Sequence, residues 1–272
     1  MKKTSVQETV SKDYARMLKE TENQQSCCGA PQSGPGTISS LAGYEPGEHQ
    51  QEAAGQSFGC GNPLAFAEIQ PGQTVLDLGS GAGLDLMLAA DRTGPTGRVI
   101  GVDMTREMVD KAADNVSRAG YSNIDVRLGM IEELPIENSS VDWVLSNCVI
   151  NLSQDKARVF SEIARVLKPG GRFSISDIVV EELPEFVREN AAMYSACVAG
   201  AIAEQAYLDG LHDAGLEDLQ VTERLVYEAS QLVALISDEL PGLDLSPELI
   251  ASIAPTITGK VWSAKFTGRM TG

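Results

Sequence analysis

VLDLGSGAGLDL, residues Val75–Leu86, reads as a strand, a turn and a helix in immediate succession. Apolar Val75, Leu76 and Leu78 predict a buried strand. Gly79, Gly81 and Gly83 then predict a tight turn into the apolar run Leu84–Ala90. Glycine suits such a turn because a backbone that bends sharply and approaches a ligand has no room for a Cβ. About twenty residues on, VIGVDMT (Val99–Thr105) predicts a second strand that ends in Asp103. A carboxylate there is placed to accept the two hydroxyls of a ribose. The pattern points to a nucleoside-containing ligand bound on an α/β sheet.

A dinucleotide loop needs a third glycine where Leu84 stands, so G-x-G-x-x-G fails here. Asp77, inside the strand, would repel a pyrophosphate and suits the cationic amino end of a methionine instead. Four later segments keep the alternation of strands and helices. GMIEELP (Gly129–Pro135) follows a third strand, and VDWVLSN (Val141–Asn147) reads as a fourth. EIARVLKPGGRFSISD (Glu162–Asp177) reads as a helix, a Pro-Gly-Gly turn and strand five. With Asp103-Met104 after strand two, this order resembles the S-adenosylmethionine-dependent methyltransferases. The resemblance implies a Rossmann-like seven-stranded α/β sheet with helices on both faces. A degenerate dinucleotide fold is the alternative.

The 272 residues carry a formal net charge of −17 and 43% hydrophobic residues. That length and apolar content suffice for one large α/β domain with extensions. The acidic balance argues against nucleic acid, whose phosphates need a basic surface, and against an anionic membrane. No run of about 18 apolar residues predicts a membrane span. The start has no apolar core of a secretory signal, so a cytoplasmic location is expected.

Residues 5–20 predict an amphipathic helix through Val6, Val10, Tyr14, Met17 and Leu18. Residues 21–60 are rich in Gly, Pro, Ser and Gln and read as a mobile arm. Asn62-Pro63 reads as a cap and first turn of a helix running to Ile69. Three regions result: an N-terminal helix and arm (1–61), a cofactor-binding core (62–180), and a helical insertion with a C-terminal region that completes the sheet (181–272). Within the last, Glu181–Leu216 is expected to be mostly helical, with Glu181–Ala203 an insertion over the active site, Leu216–Tyr227 a strand, Gln231–Ile253 helix or loop, and Lys260–Arg269 a final strand.

Five cysteines in such a fold argue against a disulfide framework and raise the weight of metal or redox chemistry. Cys148 follows Asn147 at the carboxyl end of strand four, where open α/β sheets place their ligands. Taken alone it is either a packing residue or part of the chemistry. Cys60, in SFGCGNP, precedes a predicted helix N-terminus, which favours a thiolate. Cys197, in YSACVAGA, shares a helical face with Phe186, Asn190 and Met193, so it reads equally well as core. Cys27 and Cys28 form a vicinal pair in the arm. Together, three thiols at the walls of one cleft form a soft ligand set. Histidine is scarce, with only His49 and His212, and no C-x-x-C is present. No obvious general base stands beside Asn147. An acceptor with its own lone pair needs none, and trivalent arsenic held by thiolates is such an acceptor.

SFGCGNP, VLDLGSGAGLDL, SNCVINLSQDKARVFSEIARVLKPGGRF and YSACVAGA together resemble the arsenite S-adenosylmethionine methyltransferases over nearly the whole length. The resemblance implies that Cys148 and Cys197 bind arsenic(III), with Cys60 as third thiolate. It implies a disulfide between Cys60 and an N-terminal cysteine during the cycle, for which Cys27 and Cys28 both stand ready. Asp77, Gly79, Ser80 and Gly81 would hold the methionine end of the cofactor. Asp103 and Met104 would hold ribose and adenine, Met130 and Ile131 would flank the adenine, and Asn147 would line the methionine portion. Gly83 and Asp85 complete the expected pocket. Arsenite and methylarsenite would be substrates, with thioredoxin or glutathione as reductant. A quinone C-methyltransferase and a non-catalytic thiol metalloid-binding protein are the competing readings.

Overall fold

The computed structural model describes residues 3–25, 47, 50–58, 61–189, 194–195, 197–226, 255 and 257–272. Helix α1 spans Lys3–Gln25, and α2 is one turn, Gln51–Ala54. The core then alternates: β1 (Thr74–Leu78), α3 (Leu84–Thr93), β2 (Arg98–Asp103), α4 (Arg106–Arg118) and β3 (Ile124–Leu128). After it come β4 (Val141–Asn147), α5 (Lys156–Val166), β5 (Leu167–Val180), α6 (Glu185–Arg188), α7 (Glu204–Asp213), β6 (Leu216–Val226) and β7 (Val261–Met270).

The strands form one seven-stranded sheet in the order β3-β2-β1-β4-β5-β7-β6. The first five pair in parallel and β7 runs antiparallel to both its neighbours. Parallel strands must be covered on both faces, and the side chains divide accordingly. Leu76, Leu78 and Val144 pack with Val159 and Phe160 of α5 and Tyr207 of α7. Their alternates Val75, Trp143 and Leu145 pack with Leu86 and Ala89 of α3 and with Leu64. The Pro-Gly-Gly turn lies where the β4–β5 register jumps, from Val141 opposite Leu167 to Trp143 opposite Arg172.

Three expectations need correction. The helix from Asn62 to Ile69 is only a 3-10 turn, Pro63–Phe66, although Asn62 caps it by accepting from the Ala65 N–H at 3.0 Å. The Arg92 guanidinium takes the carbonyls of Leu64 and Ala67, so no further turn is needed to satisfy them. In the arm, α1 continues to Gln25, and α2 lies within the stretch read as irregular. Within 181–216 the described helical residues are α6, 194–195 and α7, whereas Cys197, with φ +60, lies in a turn rather than on a helical face. The expectations for Asn190, Met193 and 231–253 lie outside the described residues, as does the side chain of Phe186.

Candidate active site

Crossovers leave β1 toward β2 on one side and β4 toward β5 on the other, so a crevice opens above the carboxyl ends of β1 and β4. A cleft open to solvent occupies it. The glycine loop forms its floor. The N–H groups of Gly79 and Ser80 both donate to the Val102 carbonyl, at 2.8 and 3.2 Å, tying the loop to β2. Gly79 has φ +66, and a Cβ on it would lie 2.4 Å from the Val149 side chain. Only glycine lets the loop pass this close to the tip of β4.

Four carboxylates line this cleft: Asp77, Asp85, Asp103 and Glu132. None of the described lining residues is Lys, Arg or His. Asp103 accepts the Gly81 N–H at 3.0 Å and the Thr105 N–H at 2.8 Å. Burial raises its carboxyl, and those two backbone donors oppose the rise. Burial pushes Asp77 up further, and the neighbouring charges of Asp85 and Asp103 add to it. The buried hydroxyl of Ser80 has no partner among the described residues. A cluster of carboxylates with no Lys, Arg or His among the described lining residues, together with an orphan hydroxyl, fits a ligand with a cationic amino end and several donors.

Asn147 ends β4 and clips a distant segment to it. Its amide donates to the Gly61 carbonyl at 2.8 Å and accepts the Gly61 N–H at 3.1 Å. A Cβ on Gly61 would meet Ser176 at 2.6 Å. The next residue of β4, Cys148, donates its N–H to the Ser176 carbonyl at 2.8 Å. Gly61, Asn147, Cys148 and Ser176 therefore form one close-packed corner.

Cys148 lines the cleft, and Cys197, which is not among the lining residues, meets it from behind. Both are buried, and both have left-handed backbone, φ +58 and +60. The Cys197 thiol donates to the Cys148 carbonyl at 2.7 Å. Burial pushes the Cys197 thiol far up, and the Asp177 charge adds to it; the Tyr14 hydroxyl and Lys156 oppose the shift. Cys148 is disulfide-bonded. Beneath this corner Asp177 accepts from Asn151, Ile178 and Tyr207, with Lys156 nearby.

Asp77, Gly79, Ser80, Gly81, Asp85, Asp103, Met104, Met130, Ile131, Asn147 and Cys148 all line this one cleft. Gly83 does not: the position of its missing Cβ faces Ala112 at 3.3 Å, so it serves the contact between the loop and α4. Cys27, Cys28 and Cys60 lie outside the described residues. Among the described residues no three His, Cys, Asp or Glu side chains form a metal-binding group. Sequence reasoning missed Gln7, Tyr14, Phe58, Glu132 and Ser153, which also line the cleft. The apolar spacing of α1 was visible, but Tyr14 counted there only as an apolar position.

Residues 69–220 match the methyltransferase domain family. The arsenite methyltransferase of Halobacterium salinarum is 42% identical over 229 residues, 83% of this chain and 57% of that protein. The arsenite methyltransferase of Homo sapiens is 40% identical over 162 residues, 56% of this chain and 43% of that protein. The chain thus spans about half the length of the curated relatives it matches. Among solved structures, an arsenic(III) S-adenosylmethionine methyltransferase from Chlamydomonas reinhardtii aligns with a TM-score of 0.64 at 33% identity. That alignment covers 89% of this chain and 75% of the algal one. The glycine loop, the strand order and these likenesses agree: the chain belongs to the methyltransferase domain family and, within it, to the arsenite S-adenosylmethionine methyltransferases.

Proposed function

We propose that the chain transfers a methyl group from S-adenosylmethionine to trivalent arsenic held by cysteine thiolates, giving methylated arsenicals and so detoxifying arsenite. The contact between Cys197 and Cys148, at the rim of a cleft lined by Asp77 and Asp103, carries this reading. When bound, S-adenosylmethionine supplies an electrophilic methyl group on a sulfonium. Asp77 would pair with its ammonium and Asp103 with its ribose hydroxyls. Met104, Met130 and Ile131 would flank the adenine. Gly79, Ser80, Gly81, Asp85 and Asn147 would line the methionine portion.

Arsenite exchanges onto the thiols without a change of oxidation state. Each As–O bond that breaks is replaced by an As–S bond, and the thiol proton leaves with the hydroxide as water. Cys197 and Cys148 supply two sulfurs in this reading, and Cys60 the third. The arsenic keeps its lone pair until transfer, so no side chain has to remove a proton first. That pair would become the As–C bond, with the cofactor's thioether as leaving group, and two electrons from pairing two cysteine thiolates as a disulfide would return the methylated arsenic to the trivalent state. Positioning then carries most of the rate, worth roughly 7–11 kcal/mol when alignment is ideal. Methylarsenite would re-enter as a second substrate.

The disulfide at Cys148 means that the protein must be reduced before that sulfur can hold arsenic. A thiol reductant such as thioredoxin or glutathione fits this need, with Cys27 or Cys28 exchanging with Cys60. The test is to incubate reduced protein with arsenite, S-adenosylmethionine and a thiol, and to analyse arsenic species by mass spectrometry. Methylated trivalent arsenic is expected. Unmodified arsenite, with the cofactor bound by calorimetry, overturns the reading.

A further inference from the structure

Helix α1 closes the acceptor side of the cleft, and no part of the mechanism above uses it. Val6, Val10 and Met17 bury themselves in the same cluster as Cys148 and Cys197. Two adjacent residues of α1 reach the segment that carries Cys197. Asp13 accepts the Ser195 hydroxyl at 2.7 Å. The Tyr14 hydroxyl donates to the Ser195 carbonyl at 3.3 Å and lies 3.9 Å from the Cys197 sulfur. The Tyr14 ring is held edge-on by Phe58, with centroids 5.9 Å apart, and faces the cofactor cleft.

The Cys197 sulfur has two hydrogen-bond partners among the described residues, the Cys148 carbonyl, which can only accept, and the Tyr14 hydroxyl, which can donate; Asp177 and Lys156 act on it through their charge. In the structure the sulfur still carries its proton and spends it on the carbonyl. Once arsenic replaces that proton, the sulfur can only accept. Its contact with the carbonyl becomes repulsive, and Tyr14 is then the one described donor in reach.

We propose that Tyr14 is a positioning residue for the arsenic-bound sulfur of Cys197, donating its hydroxyl hydrogen to that sulfur and making α1 a wall of the substrate site. The exchange is the one given above: the Cys197 S–H bond breaks, an As–S bond forms, and the proton leaves with an arsenic-bound hydroxide as water. Tyr14 keeps its own proton throughout; burial raises its hydroxyl well above its usual range, and the neighbouring Cys197 adds to the rise. The hydroxyl turns from the Ser195 carbonyl to the sulfur, spreads the sulfur's charge and fixes the direction of the As–S bond. The arsenic lone pair is thereby aimed at the cofactor side of the cleft.

This inference rests on thiolate binding of arsenic, so the test reads both. Wild type and Tyr14→Phe, reduced with a phosphine, are loaded with arsenite. The near-ultraviolet arsenic–thiolate absorption is recorded, arsenite release into a dithiol chelator is timed, and S-adenosylmethionine affinity is measured by calorimetry. In Tyr14→Phe the band is expected to move to longer wavelength and release to be roughly fivefold faster, as for loss of one hydrogen bond. Cofactor affinity is expected to stay unchanged, and kcat to fall more than the arsenite KM rises. An unchanged band and release rate in Tyr14→Phe overturn the proposal for Tyr14. Absence of arsenite binding in the reduced wild type overturns instead the thiolate reading beneath it. Should Tyr14→Phe fail to fold, difluorotyrosine at position 14 keeps the ring and strengthens the donor. It must then move the band to shorter wavelength, and no movement overturns the proposal.

Discussion

The Cys197 thiol donates to the Cys148 backbone carbonyl at 2.7 Å, joining two left-handed residues 49 positions apart in the chain. Left-handed backbone costs a residue with a side chain about 1–2 kcal/mol, and glycine would avoid that cost. Two cysteines therefore stand where glycine would strain the backbone less, which is how a functional constraint looks in a backbone. Cys197→Gly should stay folded, with stability within about 2 kcal/mol of wild type as strain relief offsets lost packing. It should lose arsenite methylation altogether. Urea unfolding and arsenic speciation check the two halves, and a variant that methylates within tenfold of wild type refutes the thiolate role.

Gly79→Ala places a methyl group 2.4 Å from Val149 Cγ2 on a backbone with φ +66. Either the loop or the residue after Cys148 has to move. Cofactor affinity should fall by at least a hundredfold and the melting temperature should drop. Gly81→Ala is the contrast, since its Cβ would meet nothing within 4 Å. It shares the left-handed strain, φ +50, but should lose less stability than Gly79→Ala. Equal losses in the two variants contradict the close-approach argument.

Asp77 is held above the usual carboxylate range first by burial and then by Asp85 and Asp103. A cationic ligand reverses the repulsion and drives the proton off. S-adenosylmethionine binding should therefore release protons and tighten as pH rises toward neutrality. Calorimetry in buffers of different ionisation heat checks this directly. An observed enthalpy that does not change with the buffer rules out coupled deprotonation.

Asp177 is pushed up to about 7, chiefly by burial, against the pull of Lys156 and its hydrogen-bond donors. An unfolded aspartate titrates near about 3.9. Between those values the folded protein holds a proton that the unfolded chain has lost. This contribution to stability is complete below about pH 4 and is lost as pH rises to about 7, at roughly 1.4 kcal/mol per pH unit. Asp177→Asn should flatten that part of the profile. Asp77 and Asp103 shift in the same direction and keep a residual slope. Chemical denaturation from pH 4 to 8 is the measurement, and an unchanged slope in Asp177→Asn defeats the assignment.

The net charge of −17 makes the folded chain repel itself at low ionic strength. Raising salt from about 0.01 to 0.15 M shortens the screening length from about 30 to 8 Å, and the melting temperature should rise with it. A melting temperature that falls with added salt would show that attractive surface pairs dominate.

The core was legible because its signals are local. A strand, three glycines and a helix lie within twelve residues, and β1, β2 and β4 fall where their apolar runs placed them. The residues named from the sequence that line the cleft lie in or just after strands of the sheet, apart from Asp85 in α3. The acceptor side was less legible because it is made by contacts across the chain. Nothing near Tyr14 in sequence announces Ser195 or Cys197, which lie 181 and 183 residues away. The turn at Cys197 was misread as helix because Tyr194–Ala201 is rich in small residues that suit either state. Only tertiary contacts, such as the 2.0 Å between a Cβ on Gly200 and the Asn151 carbonyl oxygen, decide it. Arg92 shortened the turn after Asn62 by the same kind of long-range capture.

Strand β7 lies between β5 and β6, so β6 has no partner in the sheet until β7 arrives. During synthesis, the half of the sheet that carries the glycine loop and Asp103 can assemble while residues 261–270 are still unmade. The other half cannot. Val261 shares a cluster with Cys148, Cys197 and α1, so the thiols are sealed from solvent only when this late strand inserts. A nascent chain therefore acquires its cofactor pocket before it shields its sulfurs, and passes through an interval in which those thiols are open to oxidants and soft metal ions. Arrested at that stage, the chain should be far more reactive toward thiol reagents than the finished protein.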